Sequence, residues 1–137
     1  MKIDLKKILS AYGQNHPEIS LIYLFGSHAC SRAMIDSDID VAILFKNSSY
    51  NDDILKYIID LSKALKTDKL DLVILNKSTP LLSFQVIRHG KCLYNISNAS
   101  RVRFETQTLR EYLDLTHIFE IQRNYVKKQI NKGEYFG

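Results

Sequence analysis

The chain has 137 residues, 45% hydrophobic and 25% charged, with five Gly and two Pro, which is the make-up of one soluble globular domain and excludes collagen-like, low-complexity and disordered classes. No apolar run approaches a membrane span, and the charged opening Met-Lys-Ile-Asp-Leu-Lys-Lys reads as no signal peptide. The net charge of +4 divides into −1 over residues 1–76 and +5 over 77–137, which suggests an acidic site in the first part and a basic partner-facing or phosphate-facing surface in the second.

Ile3, Leu5, Ile8, Leu9 and Tyr12 recur at helical spacing, and Gly13 with Pro17 is expected to end that helix. Ile19 to Phe25 is a short apolar, β-rich run that stops at Gly26, the signature of a buried strand. Small and polar residues follow to Ser37, with a helical turn expected around His28 to Ser31. Asp38 to Phe45 reads as a second strand whose first half alternates acidic and apolar. The polar stretch from Asn47 to Asp52 is a loop suited to capping a helix with Ile54, Leu55, Ile58, Ile59, Leu61 and Leu65 on its apolar face. A third strand covers Leu70 to Leu75, where Asp and Lys at its start argue against full burial. A short helix follows from Pro80 to Arg88, then a small strand around Lys91 to Tyr94. Between Ala99 and Ile130 there is neither Gly nor Pro, and Tyr112, Leu115, Phe119, Val126 and Ile130 fall at helical spacing, so one long helix is expected, with a loose tail beyond it. Strands alternating with helices imply an α/β domain. Cys30 and Cys92 form no CxxC and are read as reduced thiols of a cytoplasmic protein.

The chemistry concentrates between Gly26 and Asp40. Asp38 and Asp40, two apart on a strand, point to one face with Cα atoms about 6.6 Å apart. Like charges so placed repel unless cations neutralise them, and hard oxygen ligands at this spacing suit Mg²⁺. Asp71 opens another strand; if that strand lies beside Asp38 to Val41, it brings a third carboxylate. Three carboxylates from two strands would hold two ions roughly 3.5–4 Å apart, the arrangement of in-line phosphoryl displacement. Gly26 allows a sharp turn and close approach of a ligand, and the N–H groups after it, with the Ser27 hydroxyl, make an anion cradle. An Asp-x-Asp or a Gly-Ser alone is commonplace on solvated surfaces; their occurrence together, between apolar strands and ahead of Asp71, is what carries the reading.

Gly26-Ser27, ten residues, then Asp38-x-Asp40 resembles the signature of the polymerase-beta-like nucleotidyltransferase superfamily, over about Ile19 to Tyr94. Within it, the small size and the stretches Arg101-Val-Arg-Phe-Glu105 and Tyr112-Leu-Asp-Leu115 resemble the minimal nucleotidyltransferase (MNT) antitoxins, in a type VII-like pair with a HEPN toxin. The resemblance implies a single-domain nucleotidyltransferase fold with a small mixed sheet flanked by helices: residues 1–96 as the core and 97–137 as a helical extension packed on it. It implies Asp38, Asp40 and Asp71 as catalytic residues and ligands of two Mg²⁺ ions. Gly26, Ser27, Arg32 and Ser37 would bind the nucleotide, with Arg32 supplying the cation that the family pattern has where Cys30 stands here; Ser31 stands where that pattern has Gly. The implied substrate is ATP and the implied partner a HEPN-family RNase, silenced by transfer of AMP to a tyrosine. Two other readings stay open: a non-catalytic antitoxin acting by steric binding, and a nucleotidyltransferase acting on a small-molecule or RNA hydroxyl. His28 and Tyr50 are read as surface and loop residues. The Arg110…His117 spacing is read as a chance match to HEPN ribonucleases. Arg101, Arg103, Lys127 and Lys128 read as a solvated face rather than a nucleic-acid surface.

Overall fold

The computed structural model describes residues 4–26, 38–47 and 53–131. Helix α1 (Leu5–Gln14) is followed by strands β1 (Ile19–Phe25) and β2 (Ile39–Phe45), helix α2 (Ile54–Leu65) and strand β3 (Leu70–Ile74). A 3₁₀ turn (Leu75–Lys77), helix α3 (Pro80–His89), strand β4 (Lys91–Asn95) and the 34-residue helix α4 (Asn98–Asn131) complete the chain. The helix starts obey local chemistry. Asp4 Oδ1 accepts from the Lys7 amide (3.2 Å) and Thr79 Oγ1 from the Leu82 amide (3.2 Å), with Pro80 in the first turn, where no N–H is needed.

The sheet is mixed, in the order β3-β2-β1-β4. β1 pairs antiparallel with β2 and β4, while β2 and β3 run parallel, which requires a crossover, here made by α2. Alternation along the strands separates two cores. Ile22, Leu24, Val41 and Ile43 pack with Leu9, Tyr57, Leu61 and Leu65 on the α1/α2 side. Leu21, Tyr23 and Ala42 pack with Leu75, Val86 and Phe104 on the α3/α4 side.

Helix α1 ends at Gln14, between Gly13 and Pro17 as expected, and Gly13 has a second role: a Cβ there would run into the Tyr94 ring, so the glycine also permits close packing on β4. Two expectations need correction. Leu55 and Ile59 are exposed (67% and 45%), because the face turned to the core is set by Tyr57, Leu61 and Leu65. The start of α2 falls on Asp53, with no side-chain cap, rather than within residues 47–52. The turn around His28 to Ser31, residues 48–52 including Tyr50, Ile3, Cys30 and the tail after Asn131 lie outside the described residues.

Candidate active site

β1 ends and β2 begins at one corner of the sheet, where Phe25 pairs with Asp40. Across the parallel β2–β3 pair, Asp40 is the register partner of Asp71. Register partners on adjacent strands, about 4.8 Å apart, present side chains to the same face. That face is the α3/α4 side, since Ala42 on β2 and Val73 on β3, each two residues further along its strand, belong to the core there. Asp71 is exposed because β3 is the edge strand, and Asp40 is half-buried. Asp38 is exposed just ahead of β2. Among the described residues, no three His, Cys, Asp or Glu side chains are grouped so as to hold a metal ion. The arrangement is therefore a cross-strand pair, Asp40 and Asp71, with Asp38 two residues upstream.

Gly26 closes the corner. Its φ is +75°, a left-handed conformation that L side chains rarely adopt. A Cβ at this position would overlap the Asp40 carboxylate oxygen Oδ2 and stand 3.0 Å from its Cγ. The tight turn and the acidic side chain thus occupy one shared space, a contact that spacing alone did not reveal. Ser27, Ser31, Arg32 and Ser37 lie outside the described residues.

The face carrying the acidic pair also carries the root of α4. Tyr23, 1% exposed, donates from its hydroxyl to Glu105 Oε1 (2.7 Å), and Arg101 Nε donates to the same oxygen (3.0 Å). Burial, reinforced by the bond to Glu105, pushes the Tyr23 hydroxyl far above its ordinary pKa, and burial raises the Cys92 thiol beside it. The Phe84 and Tyr112 rings stack at 3.7 Å between α3 and α4. Between these helices a groove of about 360 Å³ is lined by Phe84, Ile87, Arg88, Glu105, Thr106 and Leu109. The sequence carried no sign of this groove, which arises from two helices meeting across a sheet.

The family model for polymerase beta nucleotidyltransferases matches residues 6–99, spanning every strand and the acidic corner. The chain belongs to that family. It is 32% identical over 114 residues (83% of this chain, 81% of the relative) to the protein adenylyltransferase MntA of Shewanella oneidensis. It is 30% identical over 130 residues (88% and 85%) to the protein adenylyltransferase MntA of Aphanizomenon flos-aquae. A crystal structure of a toxin-antitoxin with AMP-PNP superposes with a TM-score of 0.73 at 27% identity, covering 90% of this chain and 98% of that one. An MNT antitoxin in complex with tri-AMPylated Shewanella oneidensis HEPN toxin superposes with a TM-score of 0.66 at 29% identity, covering 88% and 93%. The nucleotidyltransferase family, its mixed sheet and its long last helix are thus the family and fold of this chain. No described helix is long and apolar enough to cross a membrane.

Proposed function

We infer that this protein is an antitoxin that transfers AMP from ATP to a tyrosine hydroxyl of a partner HEPN toxin. The observation that carries the chemistry is the register pairing of Asp40 with Asp71 against the tight Gly26 turn. The acceptor and donor are supported by relatives that are protein adenylyltransferases and by similar chains seen with AMP-PNP and with AMPylated toxin.

Two like-charged carboxylates in register, one half-buried and the other on an open edge strand, are a hard-oxygen donor set that fits Mg²⁺. Asp40 and Asp71, with Asp38 upstream, would hold it; the sequence reading has these three carboxylates holding two such ions. When bound, the ion supplies neutralisation of charge on the triphosphate and on leaving pyrophosphate. The residues themselves do the rest. Gly26 lets the backbone come close to the nucleotide and leaves the Asp40 carboxylate its place; Ser27, Arg32 and Ser37 complete the nucleotide contacts. Asp71, open to solvent on the edge strand, accepts the proton of the attacking hydroxyl as its oxygen bonds to the α-phosphorus and the α–β anhydride bond breaks. Residues 97–137 act as an extension of the core that serves the partner. Intact mass of the toxin after incubation with this protein, ATP and Mg²⁺ should rise in steps of one adenylate, and EDTA should prevent every step. Neutralisation of the toxin with no mass change would instead favour steric blocking.

A further inference from the structure

Helix α4 is supported by the domain for only half its length. Phe104 packs on the α3/α4 core, Thr108 is buried, Tyr112 stacks on Phe84 and Leu115 is half-buried. From His117 to Lys128 every residue is exposed. Yet this distal half is patterned for burial. At about 100° per residue, Ile118, Phe119, Ile121, Tyr125, Val126 and Ile130 share one half of the helix surface, with only Gln122 and Gln129 between them. Glu120, Arg123, Lys127 and Lys128 occupy the other half. The six apolar side chains are 38–62% exposed and together present on the order of 600 Å², the upper end for the largest apolar patch of a typical monomer. The face continues the side that packs on the domain, so it is a packing surface with none of the described residues packed beneath it.

We propose that residues 117–131 form a docking ridge for the toxin, seated in an apolar groove of that partner flanked by carboxylates; this rests on the reading of the partner given above. Charge selects this occupant over a second copy of the chain. The segment carries Arg123, Lys127 and Lys128 against a single Glu120. Two such helices packed face to face, parallel or antiparallel about Tyr125, would set the Arg123 and Lys128 that flank the apolar strip against like charges, whereas carboxylates on a different protein would pair with them. The helix is rooted on the sheet face that bears Asp40 and Asp71, so a partner held on it lies on the same side as the reacting groups. The ridge is not part of the acidic corner. It therefore holds the toxin whether or not the acceptor is already modified, and turns each successive transfer into a reaction within one complex.

The test compares the native chain with Ile121→Asp/Tyr125→Asp, using a purified HEPN-family toxin as the partner. The double variant should bind the toxin at least tenfold more weakly, as loss of two central apolar anchors does, with unchanged AMP-PNP binding and circular dichroism. At limiting antitoxin it should leave toxin bearing fewer adenylates per molecule. Ile121→Ala/Tyr125→Ala should weaken binding in the same direction. Full toxin affinity in both variants overturns the ridge, as does a native dimer that becomes monomeric on substitution while still binding the toxin. A native chain that binds the toxin through this ridge but transfers no adenylate overturns the enzymatic reading alone. A native chain that does not bind the toxin overturns both.

Discussion

Gly26 and Asp40 stand so close that they are in effect one structural unit. The turn after β1 adopts φ +75°, and the space a side chain would fill is taken by the Asp40 carboxylate. Gly26→Ala therefore has two consequences of different size. The backbone strain costs about 1 kcal/mol of stability. The displaced carboxylate moves off the position opposite Asp71, and misplacement by about 1 Å in such a site costs on the order of a hundredfold in rate. Single-turnover transfer should fall by roughly that factor while the denaturation midpoint shifts only slightly; near-native transfer would show that Asp40 adapts without loss. At this scale Asp40 and Asp71 were legible from the sequence as acids on neighbouring strands, whereas β2 begins at Ile39 and leaves Asp38 just ahead of the strand it was expected to share with Asp40. The contact between Gly26 and Asp40 was not, because spacing says that a turn exists and not what lies against it.

The elements were legible to within a residue or two wherever apolar runs met clear breaks, as β1 does at Gly26 and α3 at Pro80 and Gly90. Misreadings arose where a residue's role is tertiary. Gly13 marks the end of α1 but its contact with the Tyr94 ring was not visible, and Leu55 belongs to an apolar-looking face that the sheet does not reach. The fastening of α4 is also tertiary, since Tyr23 and Glu105 are 82 residues apart. That bond gives the fold a definite alkaline response. The Tyr23 hydroxyl is held protonated well above its ordinary value of 10, first by burial and then by Glu105. In the unfolded chain the same group ionises near pH 10, so above that pH the unfolded state binds fewer protons than the folded one. Stability supplied by the neutral phenol is thus intact below about pH 10 and drains away as pH rises toward the folded value. Melting temperature should fall more steeply above pH 10 in the native protein than in Tyr23→Phe. At neutral pH the variant should lose about 1 kcal/mol, as a single internal hydrogen bond does. Equal alkaline slopes would mean that Tyr23 does not carry the effect.

Over the whole molecule, the charge asymmetry seen in the sequence acquires a spatial meaning. The acidic part builds the corner of β1, β2 and β3, and the basic part contributes α4, rooted on the same sheet face. What the sequence could not specify was the order β3-β2-β1-β4, since a parallel crossover through α2 and a hairpin leave similar local patterns. That order decides whether Asp71 meets Asp40 or faces away from it. The most direct measurement is therefore the single-turnover rate of adenylate transfer to the toxin by Asp71→Asn, an isosteric change at an exposed edge position that leaves the fold intact. Loss of transfer by at least a hundredfold, with toxin binding and melting temperature unchanged, is the outcome expected if the cross-strand carboxylate pair performs the reaction. Transfer at the native rate would contradict it.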